Sequence, residues 1–304
     1  MEKIRAVVIG FGSIGKRHAE ILSSLNCVEK VIVLSNQKHI PYESINKLGD
    51  VSRMRPDYVV IAQETSEHFK VLSFLEEELN KKTILVEKPL FDRYRWFSIK
   101  KNTVFVAYNF RFHPGIQLVK QLIVGRKLWS VEARCTSYLP DWRPGRDYRE
   151  IYSRTLQRGG GALLDLSHEL DYVRWLFGDL QLKWAAVEKI SNLEIESDDF
   201  VSVFAENEKK VRLHIKLNYF TRYPIRTLII CGENIEIQLD LIGNKALVYC
   251  DGEEKKYEWP QLVRNSTYEL QHRAAIRKDS EMICSFQFGL DTMNLIDGIR
   301  SWAA

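Results

Sequence analysis

The first 110 residues alternate between short apolar runs and segments whose apolar positions have helical spacing. The apolar runs predict strands, and the spaced segments predict helices, such as Ile14–Leu25 and one through Phe69, Leu72, Phe74 and Leu75. Strands separated by helices are typical of a parallel sheet with helices on both faces. The predicted strands are Ile4–Ile9, Lys30–Leu34, Tyr58–Ala62, Thr83–Val86 and Thr103–Ala107.

Beyond His113 and Pro114 the pattern changes to longer strands with alternating apolar and polar residues, joined by short turns. This pattern is typical of an antiparallel sheet. Helices are predicted at Ile116–Val124, Ala162–Phe177 and Leu290–Trp302. The predicted strands are Ser130–Ser137, Phe200–Ala205, Val211–Tyr219, Arg226–Cys231, Ile235–Asp240 and Lys245–Cys250. We therefore predict an α/β domain over residues 1–113 and an α+β domain over residues 114–304.

Composition narrows location and partners. With 44 basic and 40 acidic residues the net charge is only +4, so neither nucleic acid nor a membrane surface is expected as a partner. No apolar stretch approaches the roughly 18 residues of a membrane helix, and the first residues show no signal-peptide pattern. Five scattered cysteines without a Cys-x-x-Cys pair predict thiols, no structural metal and a cytoplasmic location.

A glycine-rich turn, Gly10-Phe-Gly-Ser-Ile-Gly15, joins the first predicted strand to the first predicted helix. Gly10 permits a tight turn, Gly12 lets a pyrophosphate approach the backbone, and Gly15 lets the helix pack on the strand. The helix N-terminus offers N–H groups and partial positive charge to this anion. An ordinary turn is the alternative. The predicted dinucleotide contacts here are Gly10, Phe11, Gly12, Ser13, Ile14 and Gly15.

The end of the second predicted strand bears on the choice between NAD and NADP. An acidic residue there commonly binds the ribose 2′-hydroxyl of NAD, but this chain has Leu34-Ser-Asn-Gln-Lys38. Ser35 and Asn36 can donate hydrogen bonds to a 2′-phosphate, and Lys38 can neutralise it. The sequence favours NADP, with NAD held by a neutral hydroxyl and amide as the alternative.

The stretch Ile84-Leu-Val-Glu-Lys-Pro-Leu90 ends a buried strand on a lysine. Ligands of open α/β sheets bind beyond the carboxyl ends of the strands, where Lys88 is expected. Its ammonium can there hydrogen-bond a substrate hydroxyl and stabilise developing alkoxide charge. A cis bond before Pro89 is one way to direct the side chain. A solvated strand end is the alternative.

The second half supplies a candidate proton carrier in Gly159-Gly-Gly-Ala-Leu-Leu-Asp-Leu-Ser-His-Glu-Leu-Asp171. Asp165, His168 and Asp171 recur every third residue of the predicted helix, so successive members share a helix face. A histidine with a carboxylate one turn away can take a proton near neutral pH. The alternative is a polar helix face with a structural histidine.

Together these motifs resemble the glucose–fructose oxidoreductase/inositol dehydrogenase (Gfo/Idh/MocA) family over nearly the whole chain. The resemblance rests on GFGSIGKRH, IAQETSEH, VEKPL, YNFRFHP and GGGALLDLSHELD. It implies a Rossmann domain with a doubly wound parallel sheet, followed by an α+β domain with an open-faced, mostly antiparallel sheet. It also implies an NAD(P)-dependent dehydrogenase or reductase acting on CH–OH groups of a sugar, polyol or related compound.

The resemblance further implies roles for individual residues. Lys88 corresponds to a lysine that positions the substrate and assists proton transfer, and His168 to the histidine usually assigned as acid/base. Asp165 corresponds to an aspartate commonly four residues before that histidine, whereas the spacing here is three. A helix common after the VEKP motif is expected to be shortened to Phe91–Lys101. Further cofactor contacts are implied for Thr65, His68, Glu87 and Lys88.

The loop over residues 137–154 is dense in aromatic and arginine side chains. Aromatic faces pack on sugar rings and nucleobases, and arginine forks pair with carboxylates and phosphates. It is either a substrate lid or a pinned surface loop. Its similarity to a branch linked to surface-carbohydrate pathways implies a nucleotide-activated or acidic sugar, with Arg222 and Arg226 as further anion candidates. The predicted substrate contacts are Asn109, Arg111, Tyr138, Trp142, Tyr148, Arg149, Tyr152 and Asp171.

Three other functions stay open: a dehydrogenase for a free polyol, a redox-neutral enzyme that recycles its bound nucleotide, and a non-catalytic dinucleotide sensor. A sensor needs neither Lys88 nor His168, which favours catalysis. The family's pairing of sheet faces implies a homodimer or homotetramer. The alternation in the predicted strand Val211–Tyr219 fits such a face, and it fits equally a sheet that covers the protein's own helices.

Overall fold

A computed structural model describes residues 3–303 of the chain. It contains two compact units. The first unit holds the chain up to Phe112 together with Arg264–Met293, and the second holds His113–Val263 together with the chain from Asn294. The chain therefore crosses between units three times, whereas the division expected from the sequence crosses once, because residues 264–293 return to the first unit.

The helices and strands are numbered in chain order. The helices are α1 (Ser13–Ser24), α2 (Thr65–Glu78), α3 (Pro114–Leu122), α4 (Ala162–Asp165), α5 (His168–Phe177), α6 (Ser266–Arg277) and α7 (Phe286–Ala303). The strands of the first unit are β1 (Ile4–Ile9), β2 (Val28–Leu34), β3 (Glu43–Ile45), β4 (Tyr58–Ile61), β5 (Thr83–Val86), β6 (Thr103–Val106) and β15 (Cys284–Ser285). The strands of the second unit are β7 (Leu128–Tyr138), β8 (Gln181–Glu188), β9 (Phe200–Glu206), β10 (Arg212–Asn218), β11 (Phe220–Gly232), β12 (Ile235–Asp240), β13 (Lys245–Cys250) and β14 (Glu253–Glu258).

The first unit is built on a seven-stranded sheet with the order β15-β6-β5-β4-β1-β2-β3. Its strands pair in parallel except β15, which runs antiparallel to β6. β4 and β5 are buried along their whole length, as expected for strands covered on both faces. The order is that of a doubly wound sheet, and it reverses between β1 and β4, where such sheets bind their ligands.

The segment between β5 and β6 contains no helix, so the expected short helix at Phe91–Lys101 is wrong. Aromatic packing holds the segment instead. The rings of Phe91 and Phe97 lie edge-on to Phe69 of α2, at 5.2 and 5.6 Å between centroids. The same two rings lie 6.4 and 6.3 Å from Phe286 of α7. Such pairs stabilise a fold beyond the apolar area that they bury, so the backbone here needs no helix to stay packed.

The second unit is built on an eight-stranded sheet with the order β14-β13-β12-β11-β7-β10-β9-β8. All neighbours are antiparallel except β10 and β7. In β10, Leu213, Ile215 and Leu217 are buried, and α4 and α5 pack on this sheet. The other face exposes Trp184 and Phe204. The sheet thus covers the unit's own helices with one face and leaves an aromatic surface on the other.

The expected fold class, a parallel first sheet followed by a mostly antiparallel second sheet, is confirmed. Among residues 3–303, no helix has the length and apolar character needed to cross a bilayer.

Candidate active site

The glycine turn lies between β1 and α1, at the point where the strand order reverses. Gly10 has a φ of +97°, and a Cβ there would lie 2.7 Å from the carbonyl oxygen of Ala62. A Cβ on Gly15 would lie 2.1 Å from the carbonyl oxygen of Gly10. Packing within the protein therefore explains both glycines, since no larger residue fits.

Gly12 differs from its two neighbours in the motif. It precedes the first residue of α1, and a Cβ there would meet no protein atom within 4 Å. The fold itself therefore does not require glycine at this position. A glycine here leaves the backbone at the N-terminus of the 12-residue α1 open to the close approach of a pyrophosphate, so the turn fits a dinucleotide.

The loop after β2 is tied to the glycine turn by Gln37, which the sequence reasoning did not single out. Its side-chain amide donates to the carbonyl of Phe11 at 3.0 Å, and its backbone N–H donates to the hydroxyl of Ser35 at 3.1 Å. Asn36 and Lys38 are exposed beside it. The loop therefore presents hydroxyl, amide and ammonium groups and no carboxylate over residues 35–38.

Thr65 begins α2, and His68 one turn later is buried. Nδ1 of His68 lies 3.0 Å from the carbonyl oxygen of Pro89, and Nε2 lies 3.2 Å from that of Gln63. Burial lowers the pKa of His68, so its ring is neutral at neutral pH and its single N–H serves one carbonyl at a time. His68 thus connects the loops that follow β4 and β5. Its role as a cofactor contact stays a prediction.

Lys88 follows β5, and its peptide bond to Pro89 is cis. The side chain is half-buried. The preceding Glu87 is buried, receives a hydrogen bond from the backbone N–H of Lys88 at 3.1 Å, and lies 2.8 Å from His18 of α1. Since β5 pairs with β4 and β4 pairs with β1, Lys88 lies at the same edge of the sheet as the glycine turn.

Two predicted substrate contacts, Asn109 and Arg111, lie in a short turn after β6 and are buried. Asn109 donates to the hydroxyl of Thr267 in α6 at 2.7 Å. The guanidinium of Arg111 lies 4.4 Å from the ring centroid of Phe288 in α7. Both side chains therefore attach the returning helices to the first unit, and their contact with substrate stays a prediction.

In the second unit, the expected helix Ala162–Phe177 is wrong, because two helices occupy the segment. α4 ends at Asp165 and α5 begins at His168. Leu166 leaves the helical region with φ −100° and ψ 24°, although the apolar spacing continues across the break. Asp165 and His168 therefore do not share one helix face. Both are buried, as is Asp171 one turn into α5.

Both carboxylate oxygens of Asp165 bind phenols. The hydroxyl of Tyr152 donates to Oδ1 at 2.8 Å, and that of Tyr219 donates to Oδ2 at 2.6 Å. Burial, together with the charge of Asp165, raises the pKa of both tyrosines well above the ordinary value, so both stay protonated donors. The alternation of the predicted strand Val211–Tyr219 could have found Tyr219, which has the same inward parity as Leu217.

The aromatic loop is held by contacts within its own unit. Nε1 of Trp142 donates to the hydroxyl of Ser137 at 2.8 Å, and the Tyr148 hydroxyl accepts from the backbone N–H of Glu194 at 3.2 Å. The guanidinium of Arg222 lies 3.7 Å from the ring centroid of Tyr138. The predicted sugar contacts in this loop are thus placed by protein partners.

Two arginines considered for anion binding are paired with the protein's own carboxylates. Exposed Arg149 binds Asp147 at 2.7 Å and Glu194 at 3.4 Å. Arg226 forms a two-pronged ion pair with Glu169, at 2.7 and 2.9 Å, and Glu169 is entirely buried. This pair accounts for Glu169, to which the sequence assigned no role.

Asp198 is a second buried acid that the sequence reasoning missed. It accepts a hydrogen bond from the backbone N–H of Leu163 at 2.8 Å, at the start of α4. A Cβ on Gly161 would lie 2.2 Å from its Oδ1, which explains the last glycine of the run. Burial is the main cause that raises the pKa of Asp198 from 3.8 to about 6, and the charge of Asp165 adds to it.

This raised pKa predicts a pH-dependent effect of Asp198→Asn on stability. Below the unfolded pKa of 3.8 the carboxyl is protonated in both states and does not lower the free energy of unfolding. As the pH rises from 3.8 to the folded pKa of about 6, the carboxyl ionises more readily in the unfolded state, so the free energy of unfolding falls. The difference in pKa corresponds to about 3 kcal/mol. We expect the variant to gain up to this free energy of unfolding at pH 7.5 relative to wild type, and little at pH 3.5, in urea unfolding.

Asp199→Asn is the matched control. The carboxylate of Asp199 accepts hydrogen bonds from the backbone N–H groups of Ile190 and Ser191 and from the Ser191 hydroxyl. An amide cannot accept all of them, so this variant should be less stable than wild type at pH 7.5. Equal stability differences for Asp198→Asn at both pH values would contradict the prediction.

No two of the five cysteines are joined by a disulfide in the described part of the chain. Over residues 3–303 no group of three His, Cys, Asp or Glu side chains is arranged to hold a metal ion.

Known proteins share this architecture. Residues 117–238 match the family model of the GFO/IDH/MocA C-terminal domain. The Bacillus subtilis protein YteT is 26% identical over 176 residues, which is 53% of this chain and 40% of that protein. A levoglucosan dehydrogenase of Pseudarthrobacter phenanthrenivorans is 26% identical over 206 residues, 59% of this chain and 52% of that protein. The chain thus matches about half, or less, of the length of these relatives.

Solved structures agree over the whole chain. A levoglucosan dehydrogenase in complex with NADH has a TM-score of 0.85 at 16% identity, covering 99% of this chain and 97% of that one. The WlbA dehydrogenase from Bordetella pertussis, solved with NADH and UDP-GlcNAcA, has a TM-score of 0.80 at 18% identity, covering 99% and 96%. These likenesses show the fold. The family model shows in addition that residues 117–238 are similar to the C-terminal domain of the Gfo/Idh/MocA family.

Proposed function

We propose that the protein is a nicotinamide-dependent oxidoreductase that interconverts a secondary alcohol and a ketone on a sugar. The observation that carries this proposal is the position of Lys88 in the first unit. It follows β5 at the edge of the sheet where the glycine turn opens α1, and its backbone is held by a buried glutamate. A dinucleotide sensor has no use for an ammonium directed by the fold at this edge.

The cofactor proposed is NAD(H). The residues that would hold it are the glycine turn over 10–15 and the loop Ser35, Asn36, Gln37 and Lys38. The absence of a carboxylate in this loop supports NADP, as the sequence analysis expected, but the structural neighbours solved with NADH or NAD support NAD(H). The hydroxyl and amide groups can bind a 2′-hydroxyl without a carboxylate.

The chemistry proposed for this chain's own groups is proton transfer and charge stabilisation. When bound, the nicotinamide supplies the hydride donor or acceptor. Lys88 holds the reacting oxygen and stabilises its negative charge as the proton leaves. His168, at the N-terminus of α5 in the second unit, is assigned the acid/base role, taking a substrate proton during oxidation and returning it during reduction. Asp165, whose oxygens hold Tyr152 and Tyr219, contributes through the order it gives to this part of the second unit.

The substrate proposed is a nucleotide-activated or acidic sugar. The aromatic loop supports it, as does the neighbour solved with UDP-GlcNAcA. The ion pairs of Arg149 and Arg226 weaken it, because those guanidiniums already bind carboxylates of the chain. Arg222, which is exposed and stacked over Tyr138, is the one of these three arginines that we assign to an anionic group of the substrate. Neighbours solved as levoglucosan dehydrogenases support an uncharged sugar as the second candidate.

A thermal-shift panel tests both parts of the proposal. NAD(H) and NADP(H) are added singly and then together with sugar nucleotides, acidic sugars, anhydrosugars and polyols. A ligand at 100 times its Kd adds about 2.7 kcal/mol to native stability. We expect a shift with NADH that exceeds the shift with NADPH and grows with one sugar nucleotide. The proposal would be contradicted if none of the dinucleotides raised the melting temperature and if the denatured protein released no bound nucleotide.

Gly12→Val is the matched control for this panel. Its side chain would meet no protein atom near Cβ, so the variant should melt close to wild type without ligand. The same side chain would occupy the approach of the pyrophosphate, so the dinucleotide shift should be lost. Nucleotide that copurifies with wild type and stays bound through turnover would select the redox-neutral alternative.

The homodimer or homotetramer and the cytoplasmic location belong to the same proposal. The exposed sheet face with Trp184 and Phe204 supports pairing with a second copy, since such patches commonly mark interfaces. A monomer mass by light scattering would contradict it. The absence of disulfides among the five cysteines is compatible with a reducing compartment.

A further inference from the structure

We propose that a buried hydrogen-bonded chain of four side chains, Tyr58, His272, His18 and Glu87, positions Lys88 for the reaction by fixing the tautomer of each histidine. We call these four residues the Tyr58–Glu87 chain. They are positioning residues and do not contact the reacting atoms. The inference rests on the proposed function, in which Lys88 holds the substrate oxygen.

The contacts of the chain are continuous. The Tyr58 hydroxyl lies 2.9 Å from Nδ1 of His272. Nε2 of His272 lies 2.8 Å from Nδ1 of His18, and Nε2 of His18 lies 2.8 Å from Oε1 of Glu87. All four residues are buried, with at most 7% of their surface exposed. A buried polar group without a partner is costly, so each link is constrained by the next.

The proposed arrangement has Glu87 ionised and both histidine rings neutral, and under these conditions the hydrogen atoms can be placed along the contacts in one way only. A carboxylate only accepts hydrogen bonds, so Nε2 of His18 carries a hydrogen and donates it to Glu87. A neutral His18 then accepts at Nδ1, and His272 donates from its Nε2. His272 in turn accepts at Nδ1, and the Tyr58 hydroxyl donates to it.

The protonation states of Tyr58 and His272 agree with hydrogen donation that runs from Tyr58 towards Glu87. Burial, and then the charge of Glu87, raises the pKa of Tyr58 well above its ordinary value, so its hydroxyl keeps the proton that it donates. Burial, and then His18, lowers the pKa of His272 well below its ordinary value, so its ring is neutral. A neutral ring has one N–H, and in the Tyr58–Glu87 chain that hydrogen lies on Nε2 of His272.

The near end of the chain reaches Lys88 through Glu87. While Oε1 of Glu87 binds His18, Oε2 accepts the backbone N–H of Lys88 at 3.1 Å. The backbone N–H of Glu87 donates to the carbonyl of Ile61 at the end of β4. On the other side, the carbonyl of Pro89 faces His68 at 3.0 Å. Three successive residues are thus held, which fixes the Cα–Cβ bond from which the Lys88 side chain extends.

The chain also gives a purpose to the returning segment of the first unit. His272 lies on α6, 254 residues after His18 in the sequence. Without it, Nδ1 of His18 would be a buried acceptor with no donor opposite, which is costly. The fold therefore uses a distant helix to satisfy the histidine that binds Glu87 at the base of Lys88.

Two substitutions of His272 separate this positioning role from simple packing. In His272→Gln, the side-chain amide can donate to His18 as Nε2 did, whereas His272→Leu fills the space and cannot donate. With the leucine variant we expect kcat to fall on the order of 100-fold, the size of loss that a small misplacement causes. The Kd of NADH should stay within about two-fold of wild type, because the glycine turn is unchanged. The glutamine variant should recover most of kcat.

Two further readouts do not depend on turnover. In wild type, nitrogen-15 NMR of the histidine rings should show His18 and His272 as neutral Nε2–H tautomers. Hydrogen exchange at the Lys88 amide should be slow in wild type and His272→Gln, and faster in His272→Leu. If the leucine variant does not fold, Tyr58→Phe removes only the first donor of the chain and should also speed exchange at Lys88.

The outcomes distinguish this inference from the proposed function. Equal kcat values and equal Lys88 exchange in the leucine and glutamine variants would overturn the positioning role, as would an Nδ1–H tautomer of His18 in wild type. An inactive wild type that shows the expected tautomers and the expected difference in exchange would remove the proposed reaction while supporting the chain.

Discussion

Replacing Lys88 by alanine is expected to lower kcat about 1000-fold, the order of loss found when one charge-stabilising donor is removed from an oxyanion. The Kd of NADH should change less than about two-fold, because the glycine turn and the loop after β2 keep their groups. Stopped-flow turnover and fluorescence titration of NADH measure the two quantities on the same protein. A loss of both in parallel would indicate a binding role for Lys88 instead.

Lys82→Ala is the matched control, since Lys82 precedes the same strand that Lys88 follows. Its ammonium pairs with Asp57 at 3.3 Å on the surface, so its removal should leave kcat near wild type. His168→Ala should lose 100-fold or more, as expected for an acid/base, again without a change in NADH affinity. Near-normal turnover in both Lys88→Ala and His168→Ala would remove the assignment of the site.

Strands that bury their side chains could be predicted from the sequence. β12 and β13 begin and end at the predicted residues, because alternating apolar positions and a short turn define them. β14 could not be predicted, since its sequence Glu-Glu-Lys-Lys-Tyr-Glu is almost wholly exposed at the sheet edge. An edge strand needs only backbone hydrogen bonds from its neighbour, and such bonds leave no apolar pattern.

α6 could not be predicted for a different reason. Its inward face carries the polar side chains of Thr267, Gln271 and His272, all buried, so the helix has no clear apolar stripe. Two of these residues have hydrogen-bond partners that are distant in sequence. Thr267 contacts Asn109, and His272 contacts His18 and Tyr58. Only the folded chain shows that a polar face is an inside face.

The candidate site likewise contains features that the sequence predicts and features that it does not. The local motifs around Gly10, Lys88 and His168 can be recognised because each is defined by neighbours in sequence. The partners that fix them cannot, since Glu87 meets His18 after 69 residues and Asp165 meets Tyr219 after 54. The helix break before His168 was hidden because leucines continue the helical spacing through it. The sequence therefore indicates candidate reactive groups, and the structure shows the partners that hold the residues around them.

Glu169→Ala is expected to destabilise the second unit by about 3–5 kcal/mol, the cost of leaving a buried charge without its partner. Glu169 is entirely buried, and its two oxygens bind Arg226 at 2.7 and 2.9 Å. The Tyr172 hydroxyl also donates to it, at 3.2 Å. After the substitution, the guanidinium of Arg226 loses its two-pronged contact with the buried carboxylate. Urea unfolding at pH 7.5 measures the change.

Two comparisons show whether desolvation of the charge causes this loss. The pair of Arg126 and Asp251 has the same two-pronged geometry, at 2.8 and 2.7 Å, but lies on the surface. Arg126→Ala should shift the unfolding midpoint little, because exposed pairs are solvated when separated. The double variant Glu169→Leu with Arg226→Met removes both buried charges, and it should be more stable than Glu169→Ala. If the double variant were as unstable as the single one, lost packing, and not the unpaired guanidinium, would explain the effect. The leucine and methionine side chains are similar in volume to the glutamate and arginine that they replace and carry no charge. The double variant therefore separates the effect of the unpaired charge from the effect of lost packing.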